Sequence, residues 1–303
     1  MTPKVGSDVL YPNKNPALRV FSLWYFAILM TAWNILGHTV LGFEQSWAQY
    51  LTAVGTAIGM QFLLEWVDAR ANDRPLRFSG GFANFVNFIP PAIIAGSACG
   101  MLLFANELCW PYAFAAAFSI ASKILIRAPM GNGVWSHVFN PSNLGIVVTL
   151  FLFRWIGLAP PYHFTNRIDT GDGTWNLIVP FLALLSGIFL HGLFTGRLPL
   201  ILAWIVGFAL QALVRSVIAG VPWFTMLVPM TGAAFVIFTL YMIPDPATTP
   251  IDRTEQIWFG LAIAGAYGVL FNLHVVYGFF VALIAVSGLR YLMLWGRWLL
   301  TEG

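Results

Sequence analysis

The residues able to do chemistry in this chain fall into two short stretches. The first runs Ser122-Lys123-Ile124-Leu125-Ile126-Arg127 and continues through a Gly/Asn-rich link and Trp135-Ser136-His137 to Asn140-Pro141-Ser142-Asn143. Lys123 and Arg127 are four residues apart and share a helix face. They serve there as cations snorkelling to a membrane rim or as neighbours that suit a polar head group held at membrane depth. Asn140 before Pro141 has the form of a helix start: the Asn side chain caps, and the proline takes the first turn, where no amide hydrogen is missed. The amides that follow, with the Asn side chains and the nearby cations, either complete a cap or hold a polar head group.

The second stretch, Pro244-Asp245-Pro246-Ala247-Thr248-Thr249-Pro250, carries three prolines in seven positions and is therefore stiff. Asp245 completes a turn there or accepts hydrogen bonds from a buried ligand. Upstream, Pro229-Met230-Thr231-Gly232-Ala233 is expected to break or kink an apolar run. Irregular backbone at membrane depth is tolerated only where protein or a cavity covers it. A pocket where the two corners meet is the expectation, with Lys123, Arg127, His137, Asn140, Asn143, Thr231, Asp245, Thr248 and Thr249 as its candidate residues.

Other polar groups promise less. Glu65 and Asp68 stand about one turn apart, and Arg70 is near enough to pair with them, which describes a solvated helix end. No acidic residue lies in mid-span, so an ion path would have to use carbonyls, hydroxyls and amides such as Gln61, Asn84, Asn87 and Gln211. The five histidines sit near span ends or in loops, without the matched pair a membrane haem needs. No metal site is expected, Cys99 and Cys109 are read as unpaired filler, and neither phosphate-cradling GxxxxGK[ST] nor GxGxxG occurs.

The elements that must position these residues are written in the composition. Of 303 residues 59% are apolar and 9% charged, with 13 Trp and 26 Phe, against about 25% charged in soluble proteins. This is a chain for a lipid bilayer, and a net charge of +3 on scattered basic residues excludes a nucleic-acid surface. Residues 1–16 are polar, lack the pattern of a signal peptide, and are expected to be a cytoplasmic segment before one transmembrane domain, 17–303. Ten apolar runs follow, near 18–42, 47–67, 82–104, 110–127, 143–159, 175–195, 198–219, 223–243, 256–273 and 275–297. The fourth and fifth are short enough for half-helices or re-entrant segments.

With ten crossings and a cytoplasmic N-terminus, twelve Lys and Arg fall inside and three outside, a strong positive-inside bias. The expectation is an all-α polytopic protein of a bacterial plasma membrane with both termini cytoplasmic. Ten spans divide into a five-plus-five inverted repeat, of which Ser136-His137-Val138-Phe139 and Leu273-His274-Val275-Val276-Tyr277 are a faint trace.

"SKILIRAPMGNGVWSHVFNPSNLGIVVTLFLF" (122–153) and "YMIPDPATTPIDRTEQIWFG" (241–260) resemble the paired signatures of the family that holds the B subunit of the sodium-translocating NADH:quinone reductase and the D subunit of Rnf electron-transport complexes. "APPYHFTNRI" (159–168), "FTGRLPLILAW" (194–204), "LVPMTGAAFVIFTLYM" (227–242) and "LHVVYGFFVAL" (273–283) resemble its stand-alone branch from enediyne antibiotic clusters. The resemblance implies a membrane redox subunit holding riboflavin or FMN noncovalently, with redox partner proteins and quinone as partners. In the larger complexes a second FMN is carried on a threonine. The matching loop here, Asp169-Thr170-Gly171-Asp172-Gly173-Thr174, is one residue short and lacks the Ala before the Thr. Thr174 is therefore read as part of an Asp/Gly turn, with covalent attachment the lesser alternative. Three functions stay open: a flavin redox module, a carrier or exporter of a small natural product, and a scaffold for a biosynthetic complex.

Overall fold

The computed structural model describes residues 4–5, 16–131, 133–159, 174–231 and 233–301. Three quarters of it is helical. Eleven α-helices follow one another among the described residues: α1 Pro16–Leu36, α2 Trp47–Ala71, α3 Phe82–Phe88, α4 Pro90–Leu102, α5 Trp110–Leu125, α6 Pro141–Leu152, α7 Thr174–Leu190, α8 Leu198–Ala219, α9 Ala233–Ile237, α10 Arg253–Asn272 and α11 Gly278–Thr301. Five short strands complete it: β1 Lys4–Val5, β2 Leu103–Phe104, β3 Arg127–Pro129, β4 Val134–His137 and β5 Gly157–Leu158.

Local sequence explains the ends. Ser46 and Gln49 form a reciprocal capping box at α2, and Asp252 accepts from the amides of Thr254 and Glu255 at α10. Pro90, lacking an amide hydrogen, separates α3 from α4. α1 and α7 both widen into a π-turn, Gly37–Leu41 and His191–Thr195. Each is closed by a left-handed glycine, Gly42 or Gly196, whose N–H returns to the first carbonyl of the turn.

Helical segments occupy the positions of all ten apolar runs, but length and apolarity qualify fewer of them as spans. Among the described residues five are long and apolar enough to cross a membrane: Ala17–Leu41, Phe82–Leu102, Ile178–Thr195, Leu198–Ala219 and Gly278–Leu300. A sixth is obtained if Trp223–Met230 and Phe235–Met242, bent by 68° at the expected break after Pro229, count as one. α5 and α6, with 16 and 12 residues, reach about 24 and 18 Å against about 30 Å of hydrocarbon. α6 stops at Leu152, well short of the expected run to 159. α2 and α10 are long enough but not apolar enough. The protein is thus predominantly helical, with five to six candidate membrane spans among the described residues. Its outer faces suit lipid: Leu202, Leu210, Val217 and Ile218 on α8 and Phe181 and Leu193 near α7 are all more than half exposed, a display that water would not tolerate.

Packing joins elements near one another in the chain. α1 lies on α4, α2 on α4 and α5, and α5 on α6; α7 lies on α9, α8 on α10, and α10 on α11. The closest approaches use glycine, as apolar helices in lipid do: a Cβ at Gly145 of α6 would meet Ser119 and Ala115 of α5, and one at Gly260 of α10 would meet Leu200 and Trp204 of α8. α1 and α7 run in opposite senses, as do α6 and α11. α1 starts beside the charged end that holds Glu65 and Lys123, whereas α7 finishes there, next to Leu240 and the turn at Asp245. α6 leaves that end; α11 starts where α6 finishes, with Tyr277 Oη 3.5 Å from the Ile156 carbonyl, and returns to it, with Arg290 reaching Thr248.

Candidate functional site

Between α5 and α6 the Gly/Asn link folds as an antiparallel hairpin, β3 against β4, pairing Arg127 with His137, Ala128 with Ser136 and Pro129 with Trp135. Two glycines with positive φ, Gly131 and Gly133, make the turn. The hairpin sets the Arg127 and His137 side chains at the same level, close to Lys123. At its exit Asn140 caps α6, its Oδ1 accepting from the Asn143 amide at 3.0 Å and from Ser142 Oγ at 2.9 Å.

The second corner comes to meet it. Asn140 Nδ2 donates to the Met242 carbonyl at 3.0 Å, joining two segments a hundred residues apart. After Met242 the chain turns through Asp245, whose Oδ1 accepts from the Ala247 amide at 3.1 Å. Two arginines pin this turn from outside. Arg197, fully buried, donates from Nε to Thr249 Oγ1 at 2.8 Å and from Nη2 to the Pro246 carbonyl at 3.1 Å; Arg290 donates to the Thr248 carbonyl at 2.8 Å.

A cavity of about 400 Å³ lies between the corners, within the range of small-molecule sites. Lys123, Arg127, His137, Asn140 and Asp245 line it. Of the other candidates, Asn143 is buried outside it, donating to the Phe280 carbonyl at 3.0 Å. Thr248 and Thr249 turn away, into their own turn and toward Arg197. The side chains of Thr231 and Thr174 lie outside the described residues, as does the loop before Thr174.

The sequence missed a third wall. Gln61 and Glu65 of α2, Arg19 of α1, Arg77, and Asn87 of α3 also line the cavity. Glu65 does not belong to a solvated end: it is 3% exposed and grips Arg74, with oxygens 2.6 and 3.0 Å from the two Nη atoms, and accepts the Arg77 amide at 2.8 Å. Asp68 also pairs with Arg74, while Arg70, the expected partner, lies over the Trp66 ring. The available signal was spacing, since Gln61, Glu65 and Asp68 share one helix face.

The cavity is polar at one end and apolar at the other. Charged groups gather where α1 and α4 begin, and Met30, Ala98, Met101 and Leu102 line the far end. Lining residues run from Arg19 to Met30 on α1 and from Pro91 to Leu102 on α4, a depth of about 16 Å on either helix. Burial, reinforced by the positive charges of Lys123 and Arg127, pushes the His137 imidazole down to about 3, so near neutrality it carries one donor and one acceptor. Burial raises the Asp245 carboxyl above its usual range, against the pull of the Ala247 amide and Lys123. Lys123 Nζ has one distant neighbour, the Pro91 carbonyl at 3.5 Å.

These features define a class: a polytopic helical protein, compatible with a bilayer, with one deep amphipathic cavity at its charged end. Beyond the class, no family model matches the chain and no curated protein is significantly similar to it.

Proposed function

We propose that the protein is a membrane-embedded redox subunit that holds riboflavin or FMN noncovalently in the cavity between its two proline corners. One observation carries the proposal: the Asn140–Met242 junction closes a cavity whose edge offers a cation, a carboxyl and a neutral imidazole in Lys123, Asp245 and His137. The pyrimidine edge of a flavin alternates acceptors with an N–H donor, and this set answers both kinds of group. Phe26, Phe88, Trp135 and Tyr241 supply aromatic lining for the ring system. A flavin would bring one- and two-electron transfer; the protein's residues orient it, fix its polar edge and exclude water. Redox partner proteins or quinone then supply and remove electrons.

The same proposal takes the ten helical segments as a five-plus-five inverted repeat in a bacterial plasma membrane, with the charged end cytoplasmic. The opposed running directions of α1 and α7 and of α6 and α11 support it. So does the positive-inside bias. A second reading, a carrier for a small amphipathic product, is favoured by the same repeat together with the bent pair around Thr231.

Purification in mild detergent with a visible absorbance spectrum separates them. A yellow preparation whose flavin falls in Asp245→Asn and Lys123→Gln supports the redox subunit. A colourless protein that binds neither added riboflavin nor FMN refutes it and leaves the carrier.

A further inference from the structure

Three cations from Arg77 onward line the charged end of the cavity, Arg77, Lys123 and Arg127, with the carboxyls of Glu65 and Asp245. Glu65 is committed elsewhere: both its oxygens take Arg74, which lies outside the cavity lining, and Oε1 also takes the Arg77 amide. Asp68 is committed too, Oδ2 to Arg74 and Oδ1 to Asn72 Nδ2 at 3.3 Å. The Arg77 and Arg127 side chains keep only long ion pairs, 3.7 Å to Glu65 Oε2 and 3.8 Å to Asp68 Oδ1, and Arg127 Nε donates to the Lys123 carbonyl at 3.0 Å, leaving its Nη atoms facing the cavity without a hydrogen-bonded carboxylate. Among the described residues no carboxylate lies closer to either fork.

The two forks each face one acid of the same Arg74-held pair. Burial, with the charges of Arg74 and Arg19, lowers the Arg77 guanidinium below its usual range, only partly offset by Glu65 and Asp68. Like charges held together over a cavity are stable when an anion completes them. The anion must come with the ligand, because the apolar far end, about 16 Å away by helix rise, asks for a body that a free inorganic ion lacks.

We propose that Arg77 and Arg127 form a phosphate clamp at the mouth of the cavity, so that its ligand is a phosphorylated amphiphile with its phosphate at the charged end and its apolar body between α1 and α4. Guanidinium forks match phosphate oxygens in two-bond geometry, which a lysine does not. The choice of FMN over riboflavin rests on the flavin reading; the clamp itself does not.

Two pairs of probes test this on the full-length protein in neutral detergent, each pair differing by a phosphate. FMN and riboflavin are titrated by flavin fluorescence quenching, and dodecyl phosphate and dodecanol by shift of the melting temperature, in wild type, Arg77→Gln and Arg127→Gln. FMN is expected to bind about tenfold or more tighter than riboflavin, the worth of one charge-assisted hydrogen bond, and in each variant the ratio of the two affinities is expected to fall toward one. Equal affinity for FMN and riboflavin would overturn the clamp and leave the flavin site standing. If neither flavin binds but dodecyl phosphate stabilises wild type, dodecanol does not, and the variants do not respond, the clamp stands and the flavin reading fails, an anionic lipid being then the source of the phosphate. If neither flavin binds and dodecyl phosphate acts no differently from dodecanol, both fall.

Discussion

Replacing Asn140 by alanine removes three contacts at once: the cap on the Asn143 amide, the bond from Ser142 Oγ, and the donor to the Met242 carbonyl. Losing a helix cap costs about 1 kcal/mol, and leaving a buried carbonyl without its donor about 1–3 kcal/mol more. Asn140→Ala should therefore destabilise by roughly 2–4 kcal/mol. Asn140→Ser restores the cap alone and should recover about 1 kcal/mol of it. Asn140→Asp keeps the acceptor but sets a carboxylate against the Met242 carbonyl and should be no better than alanine. Thermal unfolding in detergent measures the order Asn, Ser, then Ala with Asp, and retention of bound flavin should follow the same order. If Ser matches wild type in both assays, the bond between the corners carries no energy. The convergence of the corners would then be incidental to binding.

Other consequences can be measured in the same way. The His137 imidazole titrates near 3 in the folded protein against about 6.5 unfolded, so between those values the unfolded state binds more protons and stability falls as pH falls, by at most about 1.4 kcal/mol per pH unit. His137→Phe should flatten the decline in melting temperature from pH 7 to pH 5, and an unchanged slope would contradict the burial of the ring. Arg74→Met leaves Glu65 buried with the Arg77 amide as its remaining close donor and should cost about 3 kcal/mol, most of it returned in the double variant with Glu65→Gln. Gly145→Val drives a side chain into Ser119 and Ala115 and should lower the yield of folded protein sharply, whereas Gly55→Val, where a Cβ would meet nothing, should not.

The helical segments were legible where an apolar run is bounded by a residue with a physical reason to bound it: Gly42 and Gly196 in left-handed turns at two ends, Asp252 as a cap before a third. The two corners were legible for the same reason, since Asn140-Pro141 and Pro244-Asp245-Pro246 fix backbone locally. How many segments cross a membrane was not, because α5 and α6 share their apolar composition with full spans and differ in where they stop. Thr248 and Thr249 misled because a threonine beside a candidate ligand-binding aspartate looks the same whether it faces the ligand or closes the turn. The wall from Gln61 to Arg77 stayed hidden for a long-range reason. Arg74 reaches back along the chain to claim the acids that adjacency gave to Arg70, and adjacency is what a single sequence displays.

The hairpin between α5 and α6 has an anchor far along the chain. Trp135 on β4 packs edge-on against Trp295 and Trp298 of α11, with ring centres 5.2 and 5.8 Å apart. Synthesis proceeds from the N-terminus, so this wall of the cavity is made well before the α11 rings that anchor it, and it gains its aromatic support only once α11 has been made.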